Sequence, residues 1–348
     1  MHDKKIKVLI VDDSAFMRNA LSKMISSDPE LQVIATARDG VEAIDKVNSL
    51  KPDIVTLDVE MPRMNGLEAL RIIMDINPVP VLMVSSLTSD GAEITLEALD
   101  AGAVDFIPKN LADLSVNILD IRKQLLEKLK AIGKKGLVRK RQGRQKIVIP
   151  KRTFEGQRKI AVVAIGSSTG GPRALQEILP DMPEDFPVCI VIAQHMPPSF
   201  TGPFAERLNS ICKVTVKEAE HGEPLQPGVV LVAPGGKHLR IIRKKTFEVV
   251  ADIVDGNEGK HIYKPSVDIL MLSATEAFPG RTLGVILTGM GNDGLKGMEM
   301  IKKNNGKTLA QDKETCVVYG MPKVVVEAGI ADKVIPVEEI AGEIVNSV

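Results

Sequence analysis

The sequence predicts an α/β protein of two domains, each a doubly wound parallel sheet flanked by helices. Three observations lead there. A chain of 348 residues is long for one domain and comfortable for two. In both halves, short Val- and Ile-rich runs alternate with amphipathic stretches. Such runs read as strands buried on both faces, the habit of parallel sheets. Between the halves the composition turns basic and loses its apolar period.

In the first half the apolar runs are 6–11, 31–35, 54–57, 79–84 and 104–107. Amphipathic stretches such as 15–25 and 66–76 lie between them. Five strand–helix units of this kind make a flavodoxin-like sheet of five parallel strands, placed at residues 1–125. From 122 to 159, Lys and Arg outnumber Asp and Glu. Residues 124–132 are able to extend a final helix. The stretch 133–157, with Gly133, Lys134, Lys135 and Gly136, reads as an exposed spacer. The linker is accordingly set at 126–157. No aromatic platform or recognition motif accompanies its charge, so a solvated spacer is favoured over a nucleic-acid surface.

The second domain, 158–348, has clear strand runs at 160–165, 188–193, 229–233 and 283–287. Two adjacent runs, 239–242 and 247–251, look like a hairpin inserted in the pattern. Helices are expected to begin at Pro172, Ser266 and Gly294.

Composition excludes several classes. Lys and Arg (45) balance Asp and Glu (45), so no global field draws nucleic acid or membrane. Aromatics are 3% and Trp is absent, so the cores are aliphatic. Cys189, Cys212 and Cys316 are scattered and odd in number, against a disulfide framework or a thiolate metal site. No signal-peptide pattern or membrane-length apolar run is visible, and a cytoplasmic location is expected.

The chemistry concentrates at strand ends. Asp12 and Asp13 follow the first strand, Asp58 ends the third, Ser85 follows the fourth and Lys109 the fifth. A doubly wound sheet opens the carboxyl ends of its strands on one edge, so these five residues converge. Clustered carboxylates are hard oxygen ligands for Mg²⁺, and the group suits phosphoryl transfer onto Asp58. Singly, each residue has a plainer explanation, such as Asp13 or Ser14 capping the first helix. Together at strand ends they favour function.

Val11-Asp12-Asp13-Ser14, Asp58-Val59-Glu60-Met61-Pro62, Val84-Ser85-Ser86 and Phe106-Ile107-Pro108-Lys109 resemble the receiver domain of two-component response regulators. The resemblance covers about residues 4–125. It implies Asp58 as phospho-acceptor, Asp13 as a direct Mg²⁺ ligand with Asp12 close by, and the Glu60 carbonyl completing the set. Ser85 and Phe106 fall at its switch positions. One departure is visible: most receivers carry Pro directly after the Lys, whereas here Pro108 precedes Lys109 and Asn110 follows it.

In the second domain, Gly166-Ser167-Ser168-Thr169-Gly170-Gly171-Pro172 follows a buried strand and opens a helix. Ser168 fits the G-x-S-x-G register, in which a tight turn presents a serine hydroxyl. A phosphate-binding glycine loop is the rival reading, ranked lower because no Gly-Lys-Ser/Thr is present. His195 ends the next strand run and is the first choice of base, with His238 second. Asp293, in a glycine-rich turn after the run 283–287, would orient the imidazole; its plainer role is a helix N-cap.

The stretches 166–172, Gln194-His195-Met196-Pro197-Pro198, Ala233-Pro234-Gly235-Gly236, Pro265-Ser266-Val267-Asp268, 288–294 and Tyr319-Gly320-Met321-Pro322 resemble the catalytic domain of chemotaxis protein-glutamate methylesterases. The resemblance implies Ser168 as nucleophile, His195 as general base and acid, Asp293 as orienting acid and Met290 lining the oxyanion site, with no cofactor for the esterase. It implies methylated chemoreceptors as substrate and a chemotaxis histidine kinase as phosphodonor. Membrane contact would come only through the receptors. It further implies that the unphosphorylated receiver obstructs the active-site mouth, and that receptor glutamines are possible deamidation substrates. Two rivals stand beside it: a response regulator whose second domain only binds a partner, and a hydrolase of small esters.

Overall fold

The computed structural model describes residues 5–86, 88–109, 118–137, 160–245, 248–255 and 263–348. The chain divides into two compact units, 1–139 and 140–348.

The first unit is a five-stranded parallel sheet in the order β2-β1-β3-β4-β5, formed by β1 (Ile6–Val11), β2 (Leu31–Ala37), β3 (Ile54–Asp58), β4 (Val81–Ser85) and β5 (Asp105–Pro108). Every residue of β3 and β4 is buried, as the unbroken apolar runs require. The helices are α1 (Ala15–Ser26), α2 (Gly40–Leu50), α3 (Gly66–Ile76), α4 (Ser89–Asp100) and α5 (Ile118–Lys135). Local chemistry starts several of them. Ser14 caps α1 and Asp39 caps α2, while Asn65 and Glu68 form a capping box on α3.

One expected boundary moves. Helix α5 runs through Lys135, so the first domain does not end at 125 and the linker does not begin at 126. Leu125, Leu129 and Ile132 recur at helical spacing, are fully buried, and the helix packs on β1 and β3. Gly133, which suggested a spacer, is where the helix closes on the sheet: a Cβ there would lie 2.5 Å from the Ile6 side chain. The rest of the expected linker, 138–157, lies outside the described residues.

The second unit has a seven-stranded sheet, all its pairs parallel, in the order β14-β13-β12-β6-β7-β9-β8. Its strands are β6 (Val162–Ser167), β7 (Cys189–Gln194), β8 (Thr215–Glu218), β9 (Val229–Val232), β12 (Thr282–Ile286), β13 (Lys307–Gln311) and β14 (Lys333–Ile335). The expected hairpin is present as β10 (Lys237–Lys245) and β11 (Glu248–Asp255), antiparallel and packed against α8 (Val267–Ala277). The remaining helices are α6 (Gly171–Ile178), α7 (Pro198–Ile211), α9 (Leu295–Lys303), α10 (Met321–Glu327) and α11 (Val337–Ser347). Helices α6, α8 and α9 begin within one residue of Pro172, Ser266 and Gly294, where starts were expected.

From β6 the order runs to β7-β9-β8 on one side and β12-β13-β14 on the other, so the winding reverses beside β6. Ligand crevices form outside the carboxyl ends of the strands at such a reversal. Strands β12, β6 and β7 are neighbours there, and their carboxyl ends lead into Asp293, Ser168 and His195 respectively. All three cysteines are free thiols, and burial pushes Cys189 up to about 12 and Cys212 up to about 11. Among the described residues no helix is long and apolar enough to cross a membrane.

Candidate functional site

The turn after β6 that carries Ser168 is built on a glycine in the left-handed region. Gly170 has φ 78° and precedes α6 without a side-chain cap. Of the two adjacent serines, Ser167 is fully buried and its hydroxyl donates to Gln194 Oε1 at 2.7 Å. Ser168 is partly exposed and carries the hydroxyl at the turn. Its backbone N–H donates to the Thr288 carbonyl at 3.0 Å, which ties the end of β6 to the loop after β12. That loop comes close: a Cβ on Gly289 would lie 2.8 Å from Ser168 Cβ. Met290 follows in the same loop, half-buried.

His195 is reached from the other side. Its backbone N–H donates to the Ser167 carbonyl at 3.0 Å. Its Nε2 meets Asp293 Oδ2 at 2.8 Å, and its Nδ1 is buried with no hydrogen bond among the described residues. The imidazole is 9% exposed and lies face to face with the Tyr263 ring, centroids 4.3 Å apart and planes within 10°.

Asp293 is not the N-cap of α9, which Gly294 occupies. Its carboxylate sits instead at the N-terminus of α8. Oδ1 accepts from Ser266 Oγ (3.0 Å) and the Asp268 N–H (3.0 Å), and Oδ2 accepts from the Val267 N–H (2.8 Å). Burial alone would raise this carboxyl. The His195 hydrogen bond and charge and the two N–H groups outweigh it and hold it below the usual range. A helix N-terminus favours this anion further.

His238, the second choice of base, is fully buried at the start of β10, and its Nδ1 accepts from the Ser266 N–H at 3.1 Å. It therefore supports the residue that holds Asp293. Gln194, Tyr263, Ser266 and the α8 N-terminus were not singled out by function from the sequence. The signal for Gln194 and Ser266 lay in the matched stretches; Tyr263 had none.

At the first unit's sheet edge, ligand oxygens of Asp12, Asp13 and Asp58 lie within 4.8 Å of one another. Ser14, not Asp13, caps α1. Lys109 Nζ is 2.5 Å from Asp58 Oδ2 and 3.4 Å from Asp12 Oδ2, and the latter is buried without a hydrogen bond among the described residues. Burial raises the Asp58 carboxyl, Lys109 pulls it back and the Asp12 charge adds to the rise, leaving it at about 6. The Glu60 N–H donates to Asp58 Oδ1 at 3.3 Å, while its side chain is exposed. Ser85 is buried, its hydroxyl held by Thr95 Oγ1 at 2.7 Å and donating to the Gly91 carbonyl. Phe106 is buried under Lys128 of α5. Pro108, which departs from the usual receiver pattern, is the last residue of β5, and the Lys109 N–H donates to the Ser85 carbonyl. The lysine thus reaches the acidic cluster from an ordinary strand end.

Comparison with known proteins agrees with both halves. The family description "CheB methylesterase" matches residues 163–344, and "Response regulator receiver domain" matches residues 8–117. A Nitratidesulfovibrio vulgaris protein named protein-glutamate methylesterase/protein-glutamine glutaminase 2 is 48% identical, covering 98% of this chain and 99% of its own. A Thermotoga maritima protein of the same name, without a number, is 46% identical over the full length of both. The crystal structure of the Thermotoga maritima CheB methylesterase catalytic domain is similar at 46% identity and TM-score 0.52, covering 54% of this chain and 99% of that one. Matches of this identity and coverage, over a sheet edge that gathers serine, histidine and aspartate, place the chain in the CheB methylesterase family, with a response regulator receiver domain ahead of the esterase domain.

Proposed function

We propose that this protein hydrolyses γ-glutamyl methyl esters on chemoreceptors and that phosphorylation of Asp58 controls the rate. The observation that carries the reading is the bond between His195 Nε2 and Asp293 Oδ2, at the end of the strand next to the one that leads into a partly exposed Ser168. With Nε2 committed to Asp293, Nδ1 is the nitrogen that takes the Ser168 proton as the hydroxyl attacks the ester carbonyl. The resulting imidazolium is stabilised by Asp293. It returns the proton to the departing methanol, and water then hydrolyses the acyl-enzyme with His195 again as base. General-base assistance of this kind is typically worth about 10²–10⁴ in rate. Met290 lies in the loop pressed against Ser168, which supports its place beside the developing oxyanion. The relatives' names support deamidation of glutamine by the same site, with ammonia as the leaving group.

A methylesterase with a receiver implies a chemoreceptor substrate and a kinase phosphodonor in general terms, and a receiver implies Mg²⁺-dependent phosphorylation. The residues suit that ion: three converging carboxylates, one with a buried oxygen that makes no hydrogen bond among the described residues. Asp12, Asp13, Asp58 and the Glu60 carbonyl would hold it, and its charge would offset the approach of a phosphoryl group to Asp58. Lys109 already stands where it pairs with that group. Ser85, once released from Thr95 and Gly91, is the hydroxyl that hydrogen-bonds it, and Phe106 reports the change. We place the protein in the cytoplasm, where receptor methylation sites and kinase meet. A partner-binding second domain would not need a buried carboxylate on a histidine beside a serine.

The test is methanol release from methylated receptor membranes. Wild type releases methanol faster with a phosphodonor present, and Ser168→Ala releases none above background. Undiminished release by Ser168→Ala would overturn the reading. Equal preference for a small ester would favour the small-ester hydrolase.

A further inference from the structure

Tyr263 stacks on the proposed base, and nothing in the mechanism above uses it. Its ring stacks on one face of the His195 imidazole, centroids 4.3 Å apart and planes within 10°. Gly291 makes room for it: a Cβ there would lie 3.2 Å from Tyr263 Oη. The tyrosine therefore packs between the base and the turn that carries Asp293. The imidazole is thus bounded on its edge by Asp293 and on its face by an electron-rich ring.

We propose that Tyr263 is a positioning residue for His195, its ring face fixing the imidazole plane and stabilising the positive charge that the imidazole acquires when Ser168 gives up its proton. The inference rests on His195 being the base. A face-on aromatic ring attracts a cation through its quadrupole, and the attraction is strongest where water is excluded. The imidazole here is 9% exposed. The charge appears only as the reaction proceeds, so the contact stabilises the transition state more than the ground state. Among the described residues, the charged or titratable groups that face His195 are Asp293 on Nε2 and Tyr263 itself, with Asp268 behind Asp293 on α8. Asp293 and Asp268 are unchanged in the variants below, so differences among them report the ring.

The experiment uses the full-length chain with phosphodonor and methylated receptor membranes, comparing Tyr263→Phe, Tyr263→Leu and a pentafluorophenylalanine at 263. Leu keeps the apolar cover and removes the ring. The fluorinated ring keeps the shape and reverses the quadrupole, so a folding defect in the Leu variant leaves a second comparison. Tyr263→Phe should stay within about twofold of wild type, because the ring face remains. Leu and the fluorinated ring should each lose about tenfold or more in kcat with little change in KM. In both, the acidic limb of the pH–rate profile and the His195 titration seen by NMR should move to lower pH, since the cation has lost its partner. An unmoved His195 titration in both variants would overturn the inference, as would a Phe variant as slow as Leu. The NMR titration reads the contact whether or not His195 is the base. Full activity in His195→Ala, by contrast, would overturn the underlying reading and leave the ring contact standing.

Discussion

Asp293 Oδ2 lies 2.8 Å from His195 Nε2, although 98 positions separate the two residues, and the same oxygen also accepts the Val267 N–H of α8. Asp293→Asn would keep the volume but put an amide where only acceptors fit. With the amide nitrogen at the Oδ1 position it would lose the Asp268 N–H bond; at the Oδ2 position it would lose the Val267 N–H bond and turn the imidazole to the wrong tautomer. The expected loss in kcat is on the order of 10³–10⁴, by analogy with the same change in a serine protease. Because the folded carboxyl is held below its ordinary 3.8, its ionisation stabilises the domain above about pH 4. That contribution fades as pH falls through the lower, folded value. Melting temperatures from pH 7 down to about pH 3 should therefore fall more gently in Asp293→Asn than in wild type. A variant of unchanged kcat would contradict the assignment.

Ser167 and Ser168 differ in what their hydroxyls do. Ser167→Ala leaves Gln194 Oε1 buried without its donor, and Gln194 Nε2 is what ties down the carbonyls of Ser168 and His195 at 3.1 Å each. It should cost about 1–3 kcal/mol of stability and keep most activity. Ser168→Ala should keep the melting temperature and lose activity by on the order of 10⁴ or more. Thermal melts and initial rates on both proteins decide it. The opposite pattern would mean that the register is shifted by one.

Asp58 must be ionised to attack phosphorus, and its carboxyl sits at about 6. Labelling by a small phosphodonor should therefore rise with pH through that value and level off above it. A bound cation favours the ionised form, so raising Mg²⁺ should move the midpoint down, and chelation should stop labelling. That shift with Mg²⁺ separates the acceptor's titration from the donor's. Labelling of Asp58→Asn at the wild-type rate would exclude Asp58 as acceptor.

Apart from the edge strand β5, the strands that lead to the site residues were legible because they are central. Strands β3, β4, β6 and β7 are buried along their whole length, and unbroken Val and Ile runs record that. Strands β8, β13 and β14 were not read. Two of them are sheet edges, where Lys217 and Lys333 replace apolar residues, and β13 is broken by Lys307, Thr308 and Gln311. The charge on α5 hid its apolar stripe and put the domain boundary too early. At the site, residue types at strand ends pointed to Ser168, His195 and Asp293. What orients them did not show, because Tyr263 and the α8 N–H groups act through tertiary contact rather than through motif.

The last prediction concerns regulation. Ser168, His195 and Asp293 all belong to the second unit. The solved Thermotoga maritima catalytic domain, similar to residues of this unit, stands as a separate chain. We propose that the second unit carries its chemistry alone and that the receiver restrains it until Asp58 is phosphorylated. Interfaces between domains of one chain are usually modest and polar, so a small bias rebalances them. About 1.4 kcal/mol changes an open-to-closed ratio tenfold. Charge-assisted hydrogen bonds from Ser85 and Lys109 to a phosphoryl group on Asp58 are the proposed source of that bias. A fragment beginning near Glu155 should thus release methanol from methylated receptors faster than the unphosphorylated full chain. Phosphodonor should speed the full chain and leave the fragment unchanged, and Asp58→Asn should hold the full chain at its slow rate. Initial rates at equal concentrations of folded protein make the comparison. A fragment no faster than the unphosphorylated chain would exclude simple inhibition, and the receiver would then act by activating the esterase or by bringing it to the receptors.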